Sequence, residues 1–133
     1  MRFDQQTLDL FDRRREVDVE SVRPDGRPIR VPIWIVVDGG EAYIRSWLGD
    51  RGRWYQAAVD RPEEVTLHAG KRAIPVRVVP AVDEISIERC SARFERKYVG
   101  DPATRDMVRP NVLGTTLRVE PRDEAPPTDR PAA

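Results

Sequence analysis

The residues best suited to chemistry in this chain are arginines and aromatic rings set at alternate positions. Arg30, Pro32 and Trp34 recur at every second residue, and after Asp38-Gly39-Gly40 the same spacing returns in Tyr43, Arg45 and Trp47. Side chains of a strand alternate between its faces, and a two-residue turn carries each face across a hairpin, so these residues are predicted to share one surface. Guanidinium groups grip phosphate oxygens in pairs, and indoles lie flat against planar rings, so such a surface suits an anionic or aromatic ligand. The other reading of the same surface is packing. Two tryptophans and a tyrosine left together in water are unusual for a monomer, so another part of the chain, or a second copy, is expected to cover them. The two readings are compatible.

A second grouping follows at once. Gly49-Asp50-Arg51-Gly52 is a loop that feeds Arg53, Trp54, Ala57, Ala58 and Val59, a short helix for which Asp50 is the predicted cap and Arg61-Pro62 the stop. A glycine-bearing loop at a helix start gathers free backbone N–H groups, and Arg51 and Arg53 flank it, so a phosphate would fit there. The plainer reading is a capped helix start with surface arginines. Other chemistry is sparse. His68 is the only histidine and falls on the polar phase of its strand; zinc needs three or four ligands, and no nucleophile-elbow sequence accompanies it. Cys90 lies on the packed stripe of a helix and reads as a small core residue.

The elements that must position these groups are legible from spacing. Thr7 to Arg14 is a short leading helix with Thr7 as its predicted cap. Glu16 to Arg23 alternates, with Val17 and Val19 opposite the acids, and ends on Pro24-Asp25-Gly26, a turn. Ile29 to Val37 is read as one strand, with Ile29, Val31, Ile33, Ile35 and Val37 on the core face, hairpinned through Asp38-Gly39-Gly40 onto a strand carrying Ala42, Ile44 and Ser46. Glu64–Ala69 and Arg72–Val79 form another pair around Gly70-Lys71. Asp83 to Tyr98 is the longest helix, capped by Asp83, with Ile87, Cys90, Ser91, Phe94 and Tyr98 on its packed stripe. Gly100-Asp101-Pro102 stops it and starts a short turn through Met107. Asn111 to Gly114 is read as a loop and Thr115 to Glu120 as the last strand.

Consecutive antiparallel strands interrupted by helices place the chain in the α+β class, mainly β. The predicted architecture is an antiparallel β-barrel of about six strands with helical additions, a short helix before the fourth strand and a long helix before the last. At 133 residues it is one domain over 1–121, and 122–133, proline-rich and charged, reads as a disordered tail. Acidic and basic residues number 23 each, and zero net charge argues against nonspecific nucleic-acid binding. The basic residues are nearly all arginine, a bias that lowers the weight of any lone arginine. A single cysteine forms no internal disulfide, and Met1-Arg2-Phe3-Asp4-Gln5 lacks the apolar run of a signal or membrane segment, which reads as cytoplasmic with no membrane partner.

The order Gly26-Arg27, Arg30 and Pro32, Ile33-Trp34-Ile35-Val36-Val37 with Asp38-Gly39, Tyr43-Ile44-Arg45-Ser46, Gly52-Arg53-Trp54-Tyr55, Asp60-Arg61-Pro62, Lys97-Tyr98 and Thr116-Leu117-Arg118-Val119 resembles the domain of unknown function 2255 family. That family is similar to the FMN-binding split barrels of pyridoxamine-phosphate oxidases and deazaflavin-dependent nitroreductases. The resemblance implies a homodimer with FMN or a deazaflavin in the crevice between subunits. Carried over by position, it selects Arg30, Pro32, Trp34, Arg45, Ser46, Arg51, Arg53 and Trp54 as cofactor contacts, and no catalytic residue. Two departures stand out: Pro28-Ile29 replaces the Lys-Ser-Gly element that usually follows Gly-Arg in deazaflavin-binding relatives, and Gln56-Ala57-Ala58 follows Trp-Tyr where Asn-Leu is common.

Three functions follow as expectations. One is a small flavin- or deazaflavin-dependent oxidoreductase in which the protein positions the ring and the cofactor carries the hydride. Another is a split-barrel dimer without catalysis that holds a small ligand or has lost its cofactor. The third, single-stranded nucleic-acid binding on an arginine and aromatic face, is disfavoured by the charge balance.

Overall fold

The computed structural model describes residues 2–122; the tail expected over 122–133 falls, but for Arg122, outside the described residues. The elements in chain order are α1 (Gln5–Arg13), β1 (Val17–Val22), β2 (Pro28–Ile33), β3 (Val36–Asp38), β4 (Glu41–Ile44), α2 (Arg53–Asp60), β5 (Val65–Ala69), β6 (Arg72–Pro80), α3 (Glu84–Lys97), α4 (Thr104–Met107), α5 (Pro110–Leu113) and β7 (Leu117–Pro121). All strand pairs are antiparallel, in the order β2-β1-β5-β6-β7-β4-β3.

That order contains its own closure. The two edge strands, β2 and β3, are separated in sequence only by Trp34 and Ile35, so the sheet has to curl until its edges meet. The predicted continuous strand from Ile29 to Val37 is therefore broken, and the sheet has seven strands rather than six. The break is held by side chains from α3. The Tyr98 hydroxyl accepts from Ile35 N–H at 3.3 Å and donates to the Arg15 carbonyl at 2.8 Å, while Lys97 Nζ donates to the Ile35 carbonyl at 2.7 Å and the Phe11 carbonyl at 2.9 Å. Backbone groups that leave a sheet ladder must find partners elsewhere, and here a tyrosine and a lysine supply them.

Alternation across the hairpin holds through the break. Asp38 pairs with Glu41, Val37 with Ala42 and Val36 with Tyr43, around Gly39 and Gly40, which both take positive φ (60° and 81°) as a two-residue turn requires. Ile33, Ile35, Ala42 and Ile44 thus join Val17, Val19, Val65, Leu67, Val76 and Leu117 in the main core, with Phe11 of α1 and Trp54 of α2 packed into it. Val36 and Tyr43 face the other way, into a second cluster with Cys90, Phe94 and Tyr98 of α3, Met107 of α4, and half-buried Trp34. The arginine and aromatic surface is thus covered, over much of its area, by the chain's own α3.

Local details depart from the expected caps. Asp4, not Thr7, caps α1, its carboxylate accepting from Thr7 N–H at 2.8 Å, while Thr7 is buried one turn in. Asp50 does not cap α2. Residues Gly49–Arg51 wind into a 3-10 turn, and Gly52 occupies the cap position without a side-chain bond. Asp83 does cap α3, accepting from Ser86 N–H at 3.0 Å. Asn111–Leu113, within the stretch read as a loop, belong to a helical turn, Pro110–Leu113, with proline at its first position, where a missing N–H costs nothing. Thr115 and Thr116 precede β7 rather than opening it, because their backbone N–H groups donate to the Val112 and Leu113 carbonyls at 2.9 Å and 3.2 Å.

Candidate functional site

Two runs of backbone meet where the barrel splits. The break after β2 sets Trp34 against α3, and the segment following β4 sets Arg45 beneath it. The Trp34 ring stacks on Tyr98 with centroids 3.8 Å apart and planes 6° apart, and the guanidinium of Arg15 sits 5.6 Å from each of these rings. Arg15 is paired with Asp101 from the loop after α3. Trp34, Arg15 and Asp101, with Pro32, Arg45, Trp47 and Met107, line a cavity of about 340 Å³. Trp47 stands at its rim, 54% exposed, its indole N–H donating to Asp106 at 3.2 Å.

Arg45 is 1% exposed. Its Nε donates to Thr116 Oγ1 at 2.8 Å, Nη1 to Ser91 Oγ and the Met107 carbonyl at 2.9 Å each, and Nη2 to the Ile87 carbonyl at 3.0 Å. Every acceptor is neutral, and no carboxylate reaches it among the described residues. A guanidinium has five N–H donors, so one on Nη2 is left without a protein partner. Burial holds the Arg45 pKa below its ordinary value. A buried cation with no counter-charge is expensive, and an anionic or carbonyl-bearing group beside it would lower that cost. Cys90, fully buried under the same helix, has its thiol pushed up to about 12 by desolvation, so it stays protonated and is no nucleophile.

The remaining residues expected at the site are placed elsewhere. Arg30 lies on β2 two residues from Pro32 and on the same face, exposed, with its Nε on Asp18 at 3.0 Å. Ser46 is 1% exposed; its N–H donates to Thr115 Oγ1 at 3.0 Å, and its own hydroxyl has no partner among the described residues. That hydroxyl lies against Gly52 so closely that a Cβ there would clash with it. Arg51 and Arg53 are exposed beyond Gly52. Arg53 lines a larger groove of about 610 Å³ with Arg23, Asp25, Ile29, Gln56 and Asp60, a mixed-charge surface. Trp54 points inward, 7% exposed in the main core.

The structure therefore brings Pro32, Trp34 and Arg45 together, keeps Arg30 on the strand leading away from them, and separates Ser46, Arg51, Arg53 and Trp54. Arg15, Tyr98, Asp101 and Met107 were missed as neighbours of the site. The one available signal was Lys97-Tyr98, whose side chains hold the break that opens the cavity. His68 pairs with Glu20 at 2.7 Å. Among the described residues no group of three or more His, Cys, Asp or Glu is placed to hold a metal, and no helix is long and apolar enough to cross a membrane.

With this geometry in hand, comparison with known proteins identifies the family. A family model described as "Uncharacterized protein conserved in bacteria (DUF2255)" matches residues 7–119. The chain belongs to this family. Curated proteins give no match. Among solved structures, Campylobacter jejuni ChuZ superposes with a TM-score of 0.71 at 9% identity, over 89% of this chain and 52% of that one; the DUF2255 chain spans about half the length of ChuZ. A putative pyridoxamine 5'-phosphate oxidase from Listeria innocua gives 0.64 at 16% identity, over 89% and 92%. An F420-H2 dependent reductase (FDR-A) gives 0.61 at 20% identity, over 80% and 95%. At these identities the likeness is one of fold, and that fold is the split barrel.

Proposed function

We propose that the cavity between Trp34, Arg45 and Trp47 receives the planar ring of a flavin such as FMN, or of a deazaflavin, and that the protein is a small oxidoreductase of the split-barrel type. The observation that carries this reading is the buried Arg45 guanidinium, which has no carboxylate partner among the described residues and lines a cavity walled by two indoles. The residues fit the ring end of such a group: flat aromatic walls, one unpartnered N–H donor and a positive charge suit a planar ring with carbonyl oxygens. Arg30, on the same face of β2 as Pro32 and roughly 7 Å along it, is positioned for a phosphate leaving the cavity. Arg51, Arg53, Ser46 and Trp54 are not used.

When bound, the cofactor supplies the hydride chemistry. The chain's own part is to bind and orient. Trp34 cannot swing freely, because Tyr98 backs its other side, so it presents a fixed wall. Arg45 cannot leave, because four hydrogen bonds tie it to α3, α4 and the residue before β7, so its charge is set before any ligand arrives. Trp47 at the rim and its neighbour Leu48, 54% and 53% exposed, would be covered in a homodimer. Their exposure also favours a second reading, a dimer whose two cavities pack on each other without a cofactor.

Titration of the protein with FMN and with a deazaflavin, followed by tryptophan fluorescence, tests the reading. Saturable quenching is expected for one of the two, with Trp34→Ala and the rim variant Trp47→Ala each weakening it about tenfold, or ~1.4 kcal/mol. Absence of binding to either compound favours the cofactor-free dimer.

A further inference from the structure

The basic residues include only two lysines, Lys71 and Lys97, and in a chain that otherwise uses arginine the second is placed unlike any surface cation. Its Nζ is drawn inward between the Phe11 carbonyl at 2.9 Å and the Ile35 carbonyl at 2.7 Å. No carboxylate pairs with it among the described residues, and Asp12, which lines the same recess, lies beyond ion-pair distance. That recess, of about 270 Å³, is lined by Asp12, Val36, Val37, Arg93, Arg96 and Lys97. It shares no lining residue with the cavity described above.

Two of the three tetrahedral positions of Nζ are taken by backbone carbonyls, and the third has no protein partner among the described residues. In the neutral amine both N–H bonds satisfy those carbonyls, which leaves the lone pair in the third direction. Carbonyl acceptors cannot serve as counter-ions, so burial dominates and lowers the ammonium pKa from 10.5 to about 8. Desolvated lysines of this kind are activated amines. The rim supplies charge of the opposite sense to an acid: Arg93 is tied to Asp38 at 2.8 Å, whereas Arg96 is exposed and has no carboxylate among the described residues. Tyr98, whose ring lies 5.3 Å from Nζ, has its hydroxyl pushed up to about 12 by burial and stays neutral.

We propose that Lys97 is a carbonyl-reactive amine, and that the recess in front of it takes a small aldehyde or keto acid whose anionic group is met by Arg96 and Arg93. The lone pair of Nζ attacks the carbonyl carbon to give a carbinolamine; a proton moves from nitrogen to oxygen, the hydroxyl leaves as water, and a C=N bond remains. No oxidant or reductant is consumed. Asp12 is the acid–base group within the recess for the loss of water. The imine retains at most one N–H, so one of the two carbonyls at the strand break loses its donor, and the adduct loosens the join between α1 and the barrel. This site is independent of the flavin reading and survives its failure.

The test is reductive trapping with glyoxylate and cyanoborohydride, read by peptide mass spectrometry on the folded protein. Lys71, on an exposed turn, is the internal reference. An amine whose pKa falls to about 8 gains about two orders of magnitude in unprotonated fraction at pH 7, part of which is lost to weaker nucleophilicity. Lys97 is expected to be modified at least about tenfold faster than Lys71 at pH 7, with a rate that levels off above pH 8. Arg96→Gln should slow trapping of glyoxylate several-fold and leave that of neutral acetaldehyde unchanged. Modification of Lys71 at an equal or greater rate, or of Lys97 only after urea is added, overturns the proposal. Equal effects of Arg96→Gln on the two aldehydes overturn the anionic class of substrate.

Discussion

The cavity under α3 and the turn leading into α2 both set arginine beside tryptophan, and they use the pair in opposite ways. Beneath α3 the guanidinium of Arg45 is buried and fixed by four neutral acceptors, while the Trp34 ring backs onto Tyr98 and borders a cavity. At the turn Arg51 and Arg53 lie in water, and Trp54 points away from them into the main core. An exposed arginine is well solvated and implies little about ligands; a buried one without a carboxylate has to be explained. The difference lies in what surrounds each group, which residue type alone does not show.

The contrast is sharpest in stability. Arg45→Met removes the donor from two carbonyls and two hydroxyls that are buried or partly buried, and each orphaned acceptor costs about 1–3 kcal/mol. We expect a loss of about 3–5 kcal/mol in urea unfolding, given that relaxation and water entry recover part of the sum. A loss below about 1 kcal/mol would mean that the guanidinium is not structural, and would erase the distinction between the two regions.

At the turn, sterics replace charge. Gly49 has φ of 68°, and a Cβ there would approach the Asn111 carbonyl to 2.9 Å. Both strain and a clash with backbone oppose a side chain, so Gly49→Ala should cost about 2 kcal/mol. A neutral result would show that the turn and α5 are free to move apart.

Titration of Lys97 probes the break that creates the cavity. Its folded pKa of about 8 is depressed from 10.5, so below pH 8 the ammonium is present in both states and its burial opposes folding. Between pH 8 and 10.5 the unfolded chain holds the proton and the folded chain does not, and stability rises with pH. Cys90 and Tyr98, raised to about 12, act in reverse: their contribution is complete below about pH 9 and is lost as pH climbs toward 12. Wild type should therefore gain stability from pH 8 to 9 and lose it above 10. Measured against Lys97→Met across pH 7.5–10.5, the lysine's own part should emerge as a steady gain on the order of 1–2 kcal/mol after solvent screening. A flat difference would place Nζ in water.

The smallest effect belongs to the exposed pair. Arg51→Ser with Arg53→Ser should shift the unfolding midpoint by less than about 0.5 kcal/mol, as surface substitutions do. A larger loss would show that the turn's arginines carry structure after all.

Much of this arrangement was legible in the sequence. Period-two spacing correctly divided Ile33, Ile35, Ala42 and Ile44 from Val36 and Tyr43, and Asp38-Gly39-Gly40 placed the turn. The α3 stripe of Cys90, Phe94 and Tyr98 likewise follows from helical spacing. The break at Trp34–Ile35 was not legible, because nothing local interrupts the alternation there; its cause is Tyr98, 63 residues further on. Caps were misread where two candidates stood close together, as with Asp4 and Thr7, since either side chain satisfies the pattern and tertiary packing chooses. Trp54 was assigned to the cofactor by the family resemblance alone, whereas its helical spacing with Ala57 and Ala58 marks the buried face that it occupies.

The most direct test of the central claim is tryptophan fluorescence during titration with FMN and with a deazaflavin, run on wild type, Trp47→Ala and the Arg51→Ser, Arg53→Ser pair. The account predicts saturable quenching by one of the two compounds, about tenfold weaker binding in Trp47→Ala, and unchanged binding in the arginine pair. Binding that disappears with Arg51 and Arg53 but ignores Trp47 would contradict it and move the site to the start of α2.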